Sequence, residues 1–383
     1  MNCQKHLFDI ADGVTYLNCA YMSPLSTEVA KAAHAAIDQK LRPYDIGVED
    51  FFRPVEELKA VFAQLINAPE PQRIAVIPSA SYALATVAKN LPVTTGENIV
   101  CLEEQFPSNV YSWRRLCDEQ ELELRIVSVP ETSTDRGSLW NEQILKAIDE
   151  RTAAVSIGTV HWADGTLMDL DAIRARTREV GAMFILDGTQ SVGARPFDLA
   201  ALNPDVLVCA GYKWLLGPYS LSLAYYGPSF DGGTPIEESW INRLGSEDFK
   251  GLTQYQDQYH PYATRYDMGE KSNFFLVPVL KRSLELILEW GVGNIDEYCG
   301  KITQSFLQEV SQMGYQLESP KYRASHMFGI RLPHQVNSDQ LKARLSENQI
   351  YVSLRGDAVR IAPHVYNDEH DLQKLADCLK SVL

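Results

Sequence analysis

Residues 184–218 read FILDGTQSVGARPFDLAALNPDVLVCAGYKWLLGP. Two short apolar runs stand in this stretch, and each delivers an ionisable residue. Phe184-Ile185-Leu186 ends at Asp187, and Val206-Leu207-Val208-Cys209 leads through Ala210-Gly211-Tyr212 to Lys213. Short apolar runs bounded by turn residues read as strands of a parallel sheet, whose two faces are both covered. Ligands of open α/β sheets bind beyond the carboxyl ends of the strands. Both charges are therefore expected to reach one crevice.

An amine and a carboxylate delivered this way suit pyridoxal 5'-phosphate (PLP). A lysine amine condenses with the cofactor aldehyde as a Schiff base, and an aspartate keeps the pyridine nitrogen protonated so that the ring withdraws electrons. Asp187 alone reads equally well as a turn residue or as the metal-binding acid of a nucleotide-binding protein. Lys213, with apolar residues on both sides, is harder to leave without a task, because lysine is seldom buried idle. LDGTQSVG (186–193) followed by AGYKWLLGP (210–218) resembles the class V aminotransferase group of PLP enzymes, which includes cysteine desulfurases, kynureninases and isopenicillin-epimerase-like enzymes.

The resemblance extends over nearly the whole chain. It implies an α/β protein of fold type I, with a mostly parallel seven-stranded sheet between helices in a large domain and a smaller α+β C-terminal domain. Residues 20–260 are expected to form the PLP-binding domain, and 1–19 with 261–383 the small one. A cytoplasmic homodimer with active sites at its interface is implied as well.

Composition agrees with such a chain. Its 383 residues, 45% apolar and 22% charged, suffice for a large core and an attached smaller unit. A net charge of −15 argues against nucleic acid or an anionic membrane as partner. The seven cysteines, at 3, 19, 101, 117, 209, 299 and 378, are scattered with no CxxC pair, which fits neither a disulfide framework nor a zinc site and suits a reducing cytoplasm. No basic-then-apolar leader opens the chain, and no run of about 18 apolar residues suggests a membrane span. No metal site is expected.

Other ligand motifs are absent. Gly269-Glu270-Lys271-Ser272 lacks the glycine before lysine that a P-loop needs, no GxSxG is present, and Gly291-Val292-Gly293 lacks the third glycine of a dinucleotide site.

Further candidates follow along the chain. Ile74–Pro78, then Ser79-Ala80-Ser81, then a helix with Leu84, Val87 and Leu91 on one face is a physical recipe for holding phosphate: free N–H groups of a first turn, small side chains and the helix dipole. The Ala80 amide and the Ser81 amide and hydroxyl are the candidates, although Ser79 also reads as a plain cap. The resemblance places Phe106 of Phe106-Pro107-Ser108 against the cofactor ring and Trp162 on the substrate side. It gives Gln190 to the cofactor's phenolic oxygen and the Tyr212 phenol to phosphate. His161, beside Trp162, reads as a structural histidine. Asn18 to Met22 are implied to lie beside the site.

The stretch 228–272 is rich in Gly, Pro, Tyr and charge with little periodicity, and so reads as a long loop region. In the resembling enzymes it crosses the dimer interface, which makes Trp240, Ser272 and Asn273 candidates for cofactor contacts lent to a partner. Ser272 reads equally as a helix cap. Arg360 of Arg360-Ile361-Ala362 matches the arginine that takes the amino acid's α-carboxylate, and Arg355 is a second choice. Ser338 and Asn367 read as N-caps of the last two helices.

The implied reaction starts from an external aldimine, with Lys213 as base. The chain then reads as a transaminase or kynureninase-like Cβ lyase acting on an amino acid. Cysteine desulfurase, selenocysteine-lyase-like or epimerase activity is the alternative, and a non-catalytic PLP-binding protein a further one. Classical desulfurase chemistry needs a cysteine on a loop ahead of the carboxylate arginine, and none stands between Ile350 and Arg360.

Overall fold

The apolar runs become one sheet in a computed structural model of the chain, which describes residues 1–132, 135–356 and 358–383. Its seven strands lie in the order Ile74–Ile77, Ser222–Tyr226, Val206–Ala210, Met183–Asp187, Thr152–Gly158, Asn98–Leu102 and Glu123–Val127. Ser222–Tyr226 runs antiparallel to both neighbours, and the other strand pairs are parallel. Six carboxyl ends therefore point the same way.

Alternate residues of these strands divide between two apolar cores, as a period of two requires. Val76, Val100, Val155, Leu186 and Leu207 face one core, filled by Val55, Leu58 and Phe62 of helix Arg53–Leu65 and by Val277, Leu280, Leu284 and Ile287 of helix Leu276–Trp290. Ile77, Ile99, Ala154, Ile185 and Val208 face the other, with Leu84 and Val87 of helix Ala80–Asn90 and Trp113 of helix Tyr111–Gln120. Each fully buried large apolar side chain contributes about 1.5–3 kcal/mol, so the sheet is held from both faces.

A third apolar cluster gathers Leu17, Ile302, Phe306, Phe328, Ile330, Val359, Ile361, Leu372 and Leu375. It lies on an antiparallel sheet in the order Ser353–Arg355, Ala358–Ile361, Phe328–Arg331 and Gln316–Leu317. The run 350–355 is divided: Ile350–Tyr351 pairs in parallel with Thr15–Tyr16, and Ser353–Arg355 joins the antiparallel sheet. One extended segment thus serves two sheets, a division that depends on which partner lies on each side.

The two caps expected at Ser338 and Asn367 shift by one residue. Asn337 Oδ1 accepts the amides of Asp339 and Gln340 at 2.9 and 3.0 Å, and Asp368 forms a reciprocal capping box with Asp371. Asn367 is occupied elsewhere, donating to Tyr16 O and to Asp371 Oδ2. Between Tyr226 and Leu276 the described backbone forms only short 3-10 turns and an isolated bridge between Arg243 and Tyr259. That stretch is tied to the sheet by the buried Asp267, whose Oδ1 accepts Val76 N at 2.7 Å and whose Oδ2 accepts Lys59 and Lys271 at 2.9 and 3.0 Å. Among the described residues no helix is long and apolar enough to cross a membrane.

Candidate active site

The segments that follow five of the six co-directed strands converge on a cavity of about 400 Å³, within the usual range for small-molecule sites. Ala80, Ser81, Phe106, Trp162, Asp187, Gln190, Tyr212 and Lys213 all line it. One tight turn locks the two halves of the deciding motif together. Gly193 has φ +100°, and a Cβ there would lie 2.3 Å from Trp214 O, so only glycine lets the chain after Asp187 pass the residue after Lys213.

Lys213 is 6% exposed. Its ammonium has no hydrogen bond or ion pair among the described residues; Nζ stands 5.2 Å from the centre of the Phe106 ring and 5.5 Å from that of Tyr212. Burial pushes its pKa down to about 8; Asp187 opposes that shift, and Arg360 and Arg355 add to it. An unfolded lysine titrates near 10.4. Between about pH 8 and 10.4 the unfolded chain therefore binds more protons than the folded one, and stability rises with pH. Below that window the penalty is fully present. Lys213→Met in cofactor-free protein is accordingly expected to raise Tm at pH 7, with the gain shrinking as pH approaches 10.5. Calorimetry at pH 7, 9 and 10.5 checks this; a gain independent of pH would mean that the buried charge carries no penalty.

Asp187 ends its strand beside the one that leads to Lys213, in register with Val208. Its Oδ1 accepts the Thr189 amide at 3.0 Å, and Oδ2 has no partner among the described residues. Gln190 lines the cavity, but its amide is already engaged. Oε1 accepts Trp214 Nε1 at 2.9 Å, and Nε2 donates to Ala20 O at 3.3 Å. One of its N–H groups is left over.

At one end of the cavity Ser79 caps helix Ala80–Asn90, accepting Tyr82 N at 3.3 Å, and its hydroxyl lies 2.9 Å from that of Ser81. Neither the Ala80 nor the Ser81 N–H has an acceptor among the described residues. Tyr219, Ser220 and Ser222 also line the cavity. Sequence reasoning missed these three. Their signal was the hydroxyl run Tyr219-Ser220 just before the apolar strand, with Ser220 at φ +67°. The Tyr212 ring packs on Tyr219 at 4.6 Å, and burial, followed by Tyr219, raises its phenol pKa.

Phe106 and Trp162 meet edge to face at 5.5 Å, and Trp162 Nε1 donates to Glu104 O at 2.7 Å. His161 is held by Asp164 at 2.9 Å and Glu104 O at 3.2 Å, in keeping with a structural histidine.

Arg360 does not line the cavity but stands behind Trp162. Its Nη1 donates to Trp162 O at 2.7 Å and Nη2 to Ser353 Oγ at 3.3 Å, while Ser353 Oγ lies 2.9 Å from Asn18 Oδ1. Nε has no partner, and no carboxylate pairs with this guanidinium among the described residues. Burial, then Arg355, brings its pKa down to about 10, so it stays protonated at neutral pH.

Trp240, Ser272 and Asn273 do not reach this cavity within one chain. Trp240 packs against Phe51 and Phe249 at 6.5 and 5.6 Å, and Ser272 donates to Phe51 O. Asn273, not Ser272, caps helix Leu276–Trp290, accepting Leu276 N at 2.9 Å.

Comparison with known proteins finds the same fold and a family. The family model described as aminotransferase class-V matches residues 47–375. An uncharacterized aminotransferase of Schizosaccharomyces pombe is 23% identical over 98% of this chain and 94% of its own length. A kynureninase of Geobacillus thermodenitrificans is 22% identical over 88% of this chain and 80% of its own. Among solved structures, apo cysteine desulfurase from Thermococcus onnurineus superposes with a TM-score of 0.84 at 20% identity, covering 100% of this chain and 98% of that one. C-DES, in a mutant form with glycine covalently linked to its PLP cofactor, superposes with a TM-score of 0.87 at 17% identity, covering 99% and 100%. At these identities the superpositions establish the fold, which is fold type I. With the family match spanning most of its length, this chain is a member of the class V aminotransferases.

Proposed function

We propose that this protein is a PLP-dependent enzyme that transforms an amino acid at or next to its α-carbon, as a transaminase or a kynureninase-like Cβ lyase. The observation that carries the reading is Lys213: a buried ammonium without a polar partner among the described residues, facing a cavity whose neighbouring strand supplies Asp187. The residues present fit PLP. Among the described residues the Ala80 and Ser81 amides are free donors for its phosphate with the Ser81 hydroxyl, now shared with Ser79, beside them, Phe106 offers a ring face, and Asp187 has an unpartnered oxygen for a protonated pyridine nitrogen. When bound, PLP supplies the electron sink for the bond broken at the substrate's α-carbon.

The chain's own groups do the rest. Lys213, with its pKa brought down to about 8, anchors the cofactor and is the base best matched to moving the proton at Cα near neutral pH. Arg360, which stands behind Trp162 and has no acid partner among the described residues, takes the α-carboxylate on release from Trp162 O as substrate enters. Gln190, fixed through Trp214, keeps the wall beside Asp187 in place.

Desulfurase chemistry is the less favoured reading. Among the described residues no cysteine lines the cavity, and Cys19, whose Sγ lies 3.9 Å from Lys213 O, is fully buried with its thiol pushed up to about 12 by that burial. A persulfide-carrying thiolate needs the opposite environment.

A homodimer belongs to the same proposal. Trp240, Leu244, Phe249, Leu252 and Phe275 are exposed apolar side chains of the segment that also carries Ser272 and Asn273, and clustered apolar surface marks association sites. A second copy would cover them and bring Ser272 and Asn273 to its neighbour's cavity.

The test is the absorbance of purified holoprotein before and after borohydride, peptide mapping of the trapped lysine, and a panel of amino acids. Keto acid formed only with an acceptor marks a transaminase, alanine released by Cβ cleavage marks a lyase, and sulfide marks a desulfurase. Absence of any borohydride-trapped cofactor on the Lys213 peptide would sink the assignment.

A further inference from the structure

A second cavity, of about 740 Å³, adjoins the first and shares Gln105 and Trp162 with it as a common wall. Three arginines line it: Arg136, Arg331 and Arg355. They come from a helix and two strands far apart in sequence, so only the fold brings them together.

Among the described residues the acids in the same lining are Asp164, Glu104 and Glu131. They equal the arginines in number, but position separates them. Asp164 is spent on the floor of the cavity. Its Oδ1 takes His161 and Thr166, and its Oδ2 lies 3.2 Å from Arg136 and 3.3 Å from Arg331. Glu104 and Glu131 are exposed at the rim, and the Glu104 carboxylate stays 3.7 Å from Arg136. Surface acids at such distances are well screened.

Arg355 is left over. Its guanidinium lies 5.4 Å from the centre of the Trp162 ring, Nη1 donates to Leu354 O at 3.0 Å, and no acid pairs with it among the described residues. Its Nε is buried without a hydrogen-bond partner; Arg136, by contrast, keeps its ion pairs to Asp164 and Glu104. A half-buried cation without an acid partner, as Arg355 is among the described residues, is unfavourable, and an unsatisfied buried group calls for an explanation, of which a bound ligand is one.

The register relates Arg355 to the carboxylate-binding arginine. Ser353 is directly opposite Arg360 and Arg355 opposite Ala358 on antiparallel strands. Arg355 therefore lies on the same sheet face as Arg360, one diagonal step away, about 7–8 Å at the backbone. Both arginines also bear on Lys213, lowering its affinity for a proton. Two guanidinium groups on one face, both without acid partners among the described residues and with Trp162 in contact with each, offer two separate seats for oxyanions. A single α-carboxylate fills only one of them.

We propose that the substrate carries a second carboxylate on its side chain, and that this distal group is seated by Arg355 in the basic cavity beyond Trp162. The inference rests on the amino-acid reading above and narrows it to acidic amino acids, with Arg360 and Arg355 taking the two carboxylates.

The experiment is a kcat/KM comparison on holoenzyme with aspartate, glutamate and 2-aminoadipate against asparagine, glutamine and alanine. Binding is measured in parallel by titrating the cofactor absorbance, which needs no turnover. The acidic member of at least one isosteric pair is expected to win by on the order of 10- to 100-fold, the range of a charge-assisted hydrogen-bonded pair. Arg355→Gln should raise KM and the spectroscopic Kd for that acid by a similar factor, and change those for its neutral isostere far less. Equal or better handling of the neutral isosteres by the unmodified enzyme overturns the proposal, as does an Arg355→Gln loss that is the same for both. The wild-type panel decides even where the variant fails to fold. A protein that traps cofactor on Lys213 yet shows no acid preference refutes the second carboxylate alone; a protein that traps none refutes the PLP reading and this inference with it.

Discussion

Lys213→Ala is expected to eliminate the borohydride-trapped adduct and to lower kcat with the best amino acid by at least about 1,000-fold. Two losses combine. The covalent anchor of the cofactor disappears, and with it the base for the proton at Cα; positioned proton transfer alone contributes about 10²–10⁴-fold. The side chain can be removed without unfolding the protein, because its ammonium makes no hydrogen bond or ion pair among the described residues and its charge is disfavoured by burial. Tm should therefore hold while activity vanishes. The Ala80 and Ser81 donors remain, so PLP should still bind, reversibly and with the absorbance of a free aldehyde or of its amine adduct with substrate. Residual turnover within tenfold of the unmodified enzyme, or an adduct trapped on another lysine, would remove Lys213 from its role.

Arg360→Gln is expected to reduce kcat/KM by on the order of 100- to 1,000-fold, mostly through KM, while leaving the cofactor spectrum intact. Truncating one partner of a buried charge pair costs about 2–5 kcal/mol, and here the pair forms only when substrate arrives. Arg360→Lys should recover part of the charge but not the fork that grips both carboxylate oxygens. Part of the effect will come through Trp162, whose carbonyl accepts from Arg360 at 2.7 Å. Substrate amides separate the two contributions. The unmodified enzyme should lose affinity for an amino acid whose α-carboxylate is replaced by a carboxamide, and Arg360→Gln should lose little more. If the variant weakens acid and amide alike, the arginine holds Trp162 and does not bind carboxylate.

How much of this was legible in the chain depends on the kind of signal. The strands at 98–102, 183–187 and 206–210 are buried on both faces, so they read as unbroken apolar runs. Strand Glu123–Val127 lies at the sheet edge, alternates charged with apolar residues, and passes unnoticed. Lys213 and Asp187 stood out because an ionisable residue at the end of an apolar run is unusual. Tyr219, Ser220 and Ser222 did not, because hydroxyl residues in a turn are commonplace. The caps at Asn337 and Asp368 were misplaced by one residue for a related reason: runs such as Asn337-Ser338 and Asn367-Asp368 contain two residues equally able to cap.

The amino-acid order alone determined the layered α/β plan, the delivery of an amine and an acid to the same edge of one sheet, and the family, since each depends on residues close together in the chain. Tertiary structure decided what depends on meeting at a distance. It placed Arg360 behind Trp162, bound the Gln190 amide to Trp214 and Ala20, kept Trp240, Ser272 and Asn273 away from their own chain's cavity, and assembled three arginines into a second one. Local order carries propensity and pattern. Whether a charge finds its counter-ion depends on which strands become neighbours, and hydrogen bonding and packing settle that only once the chain has closed.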